Sequence, residues 1–293
     1  MKKLLLLALI AIPAAAVAAG PKAPLVHGHR GCRGVMPENT LPAFAEALKA
    51  GVDVLELDLG ITKDGVVVVS HEPNVTPERC LGPNGAKLEK PIPLRSLTLE
   101  ELKKFDCGTL TNPKFPRQAA VPGTPMPTLE EVFALVRASK LPAAAKVEFN
   151  IETKIFPYDP ELSPAPAEFA ALVVRAVKRN AMGPRVMVQS FDVRTLKEVK
   201  ALAPEIRTSQ LTYEELLDIV PALQAALTDI WSPNYKWITA ESVKAAQKAG
   251  IPVAPWTINT PKEWDLAIAA GVDAIITDYP ADLIAHLKTK KLR

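Results

Sequence analysis

The sequence predicts an α/β fold, a (β/α)8 TIM barrel with a hairpin extension after its second strand and a loop-rich insertion. Three observations carry this expectation. Residues 50–58 read AGVDVLELD and residues 270–278 read AGVDAIITD, and residues 249–259, AGIPVAPWTIN, run similarly. In each, a helix stops at Ala-Gly, where glycine accepts the left-handed capping conformation, and an apolar strand follows. Such repeats call for parallel strands joined by helical crossovers. Polar residues also collect at the C-terminal ends of the apolar runs, the face on which barrels carry their chemistry. Finally, the 293-residue chain, less a short leader, approaches the ~250 residues typical of the fold.

The leader comes first in the chain. Lys2 and Lys3 precede an apolar run over residues 4–19, interrupted only by Pro13, and Ala16, Ala18 and Ala19 offer small-residue cleavage patterns. That is the layout of a secretory signal peptide. Residues 1–19 are expected to be removed, leaving 20–293 as one domain that is exported, either periplasmic or secreted. The run falls short of the ~20 apolar residues of a transmembrane helix, so no stable membrane anchor is expected. Loss of Lys2 and Lys3 takes the formal charge from +3 to +1. A nearly neutral domain has no general attraction for nucleic acid.

Strands are expected at residues 25–29, 54–59, 66–71, 147–153, 186–191, 206–211, 229–232, 253–258 and 274–277, nine segments for eight barrel places. Thr62-Lys63-Asp64-Gly65 resolves the excess. Asp-Gly is a hairpin signal, so 66–71 is expected to fold back, antiparallel, on the second strand. Thr98-Leu-Glu-Glu101 and Thr128-Leu-Glu-Glu131 are capping boxes, and Thr260-Pro-Lys-Glu263 adds a first-turn proline. Helices also fit 42–50, 166–180, 193–203, 240–249 and 281–288. The stretch 72–127 is rich in Pro and Gly with one short helix, and is read as an insertion near the mouth. It holds Cys80 and Cys107, which an oxidising compartment would join. The third cysteine, Cys32, is expected to pack against the barrel mouth.

The chemistry lies at the strand ends. Glu56 and Asp58 are two apart on a strand, so they face one side, and Asn150, Glu152 and Lys154 alternate likewise. Three converging carboxylates repel unless a positive charge sits among them. One divalent metal ion, Ca²⁺ or Mg²⁺, suits such all-oxygen ligands. Counting back from the hairpin turn sets His71 level with Leu57 and Asp58, while His29 reaches the same space from the first strand. Two histidines beside a metal-bound anion can serve as general acid and base. His27 lies a layer deeper and His286 sits in the tail helix, so both read as structural. Arg30 and Lys154 add fixed charge suited to a phosphate. No Walker loop, dinucleotide fingerprint or G-x-S-x-G is present, which removes support for nucleotide binding and serine hydrolysis.

Residues 29–44, HRGCRGVMPENTLPAF, resemble the opening motif of glycerophosphodiester phosphodiesterases. So do ELDLGITKDGVVVVSHEPN at 56–74, NIETK at 150–154, QSF at 189–191, WTIN at 256–259 and ITDYP at 276–280. The motifs keep the family's order and span almost all of the expected mature chain. The resemblance implies hydrolysis of small glycerophosphodiesters to glycerol 3-phosphate and an alcohol. It makes His29 and His71 the acid–base pair and Glu56, Asp58 and Glu152 the metal ligands. Arg30 and Lys154 would contact the phosphate, and Phe191 and Trp256 would wall the glycerol or alcohol pocket. Glu38 and Asn39 would brace the first loop. It also implies internal attack by the glycerol 2-hydroxyl and a cyclic phosphate intermediate. The sequence departs from the family in having Glu72 where Asp is frequent, and Cys32 where a small residue is frequent.

Two other readings use part of the same pattern. A phospholipase-D-like or phosphoinositide-lyase-like barrel would need an apolar rim for lipid, which Leu81, Leu94, Leu97 and Leu110 could begin. An exported phosphodiester-binding protein would need two lobes, and no use for two histidines beside three carboxylates.

Overall fold

The computed structural model describes residues 23–214 and 218–293; the expected leader lies outside them. Seven parallel strands form most of a barrel wall. In chain order these are β1 (Leu25–Gly28), β2 (Val54–Ile61), β6 (Glu148–Thr153), β7 (Val186–Ser190), β8 (Arg207–Thr212), β9 (Ile230–Pro233) and β10 (Ala274–Thr277), with β10 pairing back onto β1. The eighth place belongs to residues 252–258. Trp231 N donates to Pro252 O at 2.9 Å, and on the other side Asp273 N donates to Val253 O at 2.9 Å and Ile276 N to Pro255 O at 3.0 Å. Pro252 and Pro255 lack the N–H a regular ladder needs. The strand expected at 253–258 is therefore reduced to isolated bridges at Val253 and Trp256, yet it closes the wall.

The expected hairpin is present but shorter than the 66–71 reading. β3 (Val67–Val69) runs antiparallel to β2, with Leu59 opposite Val69 and Ile61 opposite Val67. Ser70 N continues the pairing to Asp58 O at 2.9 Å, and the same register sets His71 level with Leu57. The segment that follows holds β4 (Asn74–Val75), β5 (Ile92–Pro93) and the short α2 (Leu99–Leu102). It has its own small core of Val75, Cys80, Leu94, Leu102, Phe105 and Met126 against Val68. Leu94 and Leu97 pack inward there, so neither forms a lipid-facing rim. Cys80 and Cys107 are disulfide-bonded at 2.06 Å, and Cys32 is a free thiol buried in the main core.

The outer helices are α1 (Leu41–Ala50), α3 (Leu129–Ala138), α4 (Pro166–Arg179), α5 (Val193–Leu202), α6 (Ile219–Ala225), α7 (Ala240–Lys248), α8 (Pro261–Ala270) and α9 (Pro280–Thr289). Their ends follow the cap chemistry. Thr128 and Thr260 form complete capping boxes, and Gly51 and Gly271 end α1 and α8 at φ 88° and 80°. The sequence reading lacks α6, whose IVPALQA carries an internal proline and no side-chain cap; both weaken a helical pattern. Strand residues alternate as the pleat requires. Leu55, Leu57, Leu59, Phe149 and Ile151 face the helices in the main core, where Phe133 of α3 meets Phe149 edge-on at 4.9 Å. Inside the barrel, Val54, Met187, Ile230, Ala254 and Ala274 form an apolar floor. Above it the lumen turns polar, and this places the site.

Candidate active site

Three carboxylates converge above the apolar floor. Glu56 and Asp58 point inward from β2, and the register sets Asp58 beside Glu152 and Glu56 beside Asn150 on β6. Oxygens of Glu56, Asp58 and Glu152 lie within 4.8 Å of one another, and all three residues are buried. Burial pushes Glu56 well above the ordinary carboxylate range, with the charges of Asp58 and Glu152 adding to the shift. Burial, then the Asp58 charge, raises Glu152 to about 7 despite Lys154. Burial also acts upward on Asp58, but Lys154 and Arg30 outweigh it and hold that carboxyl well down.

Lys154 Nζ stands 2.7 Å from Glu152 Oε1 and 3.1 Å from Asp58 Oδ1. Neither oxygen has a well-aligned hydrogen-bond donor among the described residues. A buried all-oxygen trio with oxygens left over fits a hard divalent cation, so Glu56, Asp58 and Glu152 can hold one.

The first βα turn presents His29 and Arg30. Arg30 and Gly31 both take left-handed backbone, φ 49° and 81°. A Cβ on Gly31 would meet the Ala43 backbone at 2.7 Å, so the turn requires glycine there. The conformation aims Arg30 N at Glu56 Oε2, 2.8 Å away, while Arg30 Nη1 donates to Glu38 Oε1 at 2.7 Å and Nε stands 3.1 Å from Asp58 Oδ2. Asn39 Nδ2 donates to the same Asp58 oxygen at 2.9 Å, so Glu38 and Asn39 do hold this loop.

His29 Nδ1 lies 2.6 Å from Asp278 Oδ1. A carboxylate only accepts, so Nδ1 carries the proton and Nε2, 3.9 Å from Glu56 Oε2, faces the trio. Arg33 donates twice to Asp278, at 2.8 and 3.0 Å, and Asn259 Nδ2 donates at 2.7 Å. Burial acts upward on Asp278, but His29 and Arg33 hold its carboxyl below the usual range. Burial, helped by the Arg33 charge, lowers His29 to about 3. At neutral pH the pair is therefore a neutral imidazole on an anionic carboxylate. His71 Nδ1 lies 2.8 Å from Glu72 Oε1, an analogous arrangement at the more open side of the mouth.

One cleft of about 200 Å³ is lined by His29, Arg30, Glu56, His71, Glu152, Lys154, Phe191 and Trp256. Asp58 is fully buried beneath it. The fold thus brings all nine candidate residues together. Phe191 and Trp256 meet edge-on at 5.6 Å and form the apolar wall. His27 lies at the level of Val54, and burial takes it down to about 4; it is a neutral group at the floor. His286 is distant, bonded to Asp265 at 2.7 Å on α9.

The sequence places Asn259 and Asp278 at the polar ends of their strands without giving either a role, and Arg33 and Arg79 have none there. A signal for Asp278 was there: in the two Ala-Gly-Val-Asp repeats it occupies the position that Asp58 holds in the first.

Comparisons with known proteins agree with this geometry. The model of the glycerophosphoryl diester phosphodiesterase family matches residues 29–282. A glycerophosphodiester phosphodiesterase of Caldanaerobacter subterraneus is 33% identical over 262 residues, covering 89% of this chain and 96% of that protein. Another, from Bacillus subtilis, is 30% identical over 97% of this chain and 94% of its own. A solved Silicibacter pomeroyi structure, described as a candidate glycerophosphoryl diester phosphodiesterase, superposes with a TM-score of 0.86 at 33% identity, covering 93% of this chain and 95% of that one. An Oleispira antarctica phosphodiesterase, solved with its product sn-glycerol-3-phosphate, shares the fold at a TM-score of 0.74 and 22% identity, covering 91% and 97%. With the family model spanning the barrel from His29 to α9, the chain belongs to the glycerophosphodiester phosphodiesterase family and is a phosphoric diester hydrolase.

Proposed function

We propose that this protein hydrolyses small glycerophosphodiesters to glycerol 3-phosphate and an alcohol, with His29 and His71 as its acid–base pair. The observation that carries the reading is the shared cleft: two oriented imidazoles flank a buried carboxylate trio, and two cations stand beside it. Glu56, Asp58 and Glu152 would hold a divalent cation, Ca²⁺ or Mg²⁺, which would supply charge stabilisation for a bound phosphate. Arg30 offers a planar guanidinium and Lys154 a point charge to the same group. Phe191 and Trp256 cover the carbon skeleton.

One imidazole Nε2 accepts the proton of the glycerol 2-hydroxyl as that oxygen bonds to phosphorus. The other, entering the step as an imidazolium with its second proton on Nε2, protonates the departing alcohol oxygen as its bond to phosphorus breaks. Water then adds to the cyclic diester with the roles reversed, regenerating the 2-hydroxyl. Asp278 and Glu72 keep each ring in the tautomer that leaves Nε2 for transfer. The glycerol 3-phosphate held by the related Oleispira fold is the product assigned here.

The protein acts outside the cytoplasm on this reading. The leader pattern supports it, and so does the Cys80–Cys107 bond, since disulfides persist in oxidising compartments.

The decisive assay follows glycerol 3-phosphate release from glycerophosphocholine, with chelator and after metal is restored. Release that is undiminished in excess chelator, or absent with every metal tested, removes the assignment.

A further inference from the structure

The segment between β3 and α3 carries His71 itself and, further along, Arg79, and we infer that Arg79 is a positioning residue for both Arg30 and His71, anchored by the Cys80–Cys107 disulfide. The inference rests on the roles given to those two groups under Proposed function. Arg79 sits in a turn in which Arg79 N and Cys80 N both donate to Thr76 O, at 3.1 and 3.0 Å. The next residue, Cys80, is buried in the small core and bonded to Cys107. Just beyond it Leu81 and Asp106 exchange backbone hydrogen bonds of 2.7 and 3.0 Å. The backbone of Arg79 is thus fixed by a covalent clip and by a paired strand edge.

From this anchor the guanidinium spans two carboxylates. Its Nη1 donates to Glu38 Oε1, the atom that also accepts from Arg30 Nη1 at 2.7 Å. Its Nη2 stands 3.5 Å from Glu72 Oε1, the atom 2.8 Å from His71 Nδ1. Each carboxylate holds one substrate-handling group, and Arg79 is the cation common to both.

The consequence is electrostatic as well as geometric. Glu38 shared between two guanidiniums satisfies neither fully, which leaves Arg30 charge for the substrate phosphate. Without Arg79, Glu38 becomes a private partner of Arg30 and draws its guanidinium away from the charge the phosphate develops in the transition state. Glu72 is more than a third exposed at its side chain. Relieved of Arg79, it is free to leave His71, and that ring loses the contact that fixes its orientation.

The test uses the full-length protein, saturating divalent metal and glycerophosphocholine. Arg79→Gln should lower kcat by about 10- to 100-fold, the usual cost of misplacing reacting groups by about an ångström. KM should change by less than about threefold, as for interactions realised in the transition state. Arg79→Lys keeps the charge but can serve only one carboxylate, so it should recover part of the loss. In a Glu38→Gln/Glu72→Gln background, Arg79→Gln should have little further effect. A Cys80→Ser/Cys107→Ser protein, with Arg79 intact but less firmly held, should fall between wild type and Arg79→Gln. The inference is overturned if wild type is active and Arg79→Gln keeps kcat within about twofold, raises KM alone, or costs the same in the double-glutamine background, each of which denies coupling. A wild type inactive on the diester overturns the functional reading itself.

Discussion

At the scale of single residues, the site is a set of charges made tolerable by their neighbours. His29 presents Nε2 because Asp278 takes Nδ1 at 2.6 Å, and Asp278 is itself held by Arg33 and Asn259. Replacing His29 or His71 by Ala should lower kcat by about 10²- to 10⁴-fold, the usual worth of a placed acid or base. His286→Ala, which loses a hydrogen bond to Asp265 and a ring contact with Trp264 away from the cleft, should leave turnover near wild type. Steady-state kinetics on glycerophosphocholine decides this, and near-normal turnover by either mouth variant removes that imidazole from the mechanism. Arg30→Lys should also be costly. Arg30 donates to Glu38 from Nη1 while its Nε stands 3.1 Å from Asp58 Oδ2, a spread a point charge cannot reproduce. Charge-assisted hydrogen bonds are worth about 1.5–3 kcal/mol, so kcat/KM should fall by at least about tenfold. Retention of wild-type kcat/KM would rule out the forked role.

At the scale of elements, the long segment after β3 is held by a covalent clip and by one carboxylate. Cys80 and Cys107 close a loop of sequence separation 27, for which chain-entropy models give about 3–4 kcal/mol. A non-reduced digest should contain the linked peptide, and reductant should make residues 81–106 the first site of limited proteolysis. Alkylation of all three thiols without reductant would refute the bond. Asp106 accepts from the amides of Gly108, Thr109 and Gly123 at 2.9, 3.1 and 2.9 Å. Burial acts upward on Asp106, but these bonds and the Thr109 hydroxyl take it down to about 2. A folded value below the unfolded one means a contribution present above the ordinary 3.8 and lost as pH falls toward about 2. The Asp106→Asn variant lacks that contribution at every pH. The difference between the two proteins in amide-exchange protection at Gly108, Thr109 and Gly123 should therefore be large at neutral pH and should close across that acidic window. A difference constant with pH would show that the carboxylate charge is not what orders the loop.

At the scale of the whole molecule, a rigid barrel carries an interior that is apolar at the floor and acidic at the mouth. The helices cover the outer faces of β2 and β6 with residues such as Phe44, Phe133 and Phe169. That packing supports the cost of burying Glu56, Asp58 and Glu152 together, because buried like charges are unfavourable without a cation. A cation bound only by the folded state adds stability by mass action, about 2.7 kcal/mol at one hundred times its dissociation constant. Calorimetry should show Tm rising with Ca²⁺ or Mg²⁺ in wild type, and no such rise in Glu56→Gln/Asp58→Asn/Glu152→Gln. Equal metal responses in the two proteins would place the ion elsewhere.

Local signals along the chain suffice for the barrel: Ala-Gly caps before apolar strands, capping boxes at Thr98, Thr128 and Thr260, and the Asp64-Gly65 turn. Strand parity and hairpin register, set by neighbours along the chain, likewise fix which face of its strand each carboxylate and histidine takes. The groups that orient those side chains reach them through contacts made once the barrel has closed. Asp278 reaches His29 across 249 positions and Arg79 reaches Glu38 across 41. No periodicity records contacts of that kind. Barrel closure brings the last strand against the first, and a disulfide-held turn lays Arg79 over the mouth. The strand at 253–258 is legible as a place in the wall but not as broken pairing, because Pro252 and Pro255 remove hydrogen bonds whose partners exist only once the wall has closed.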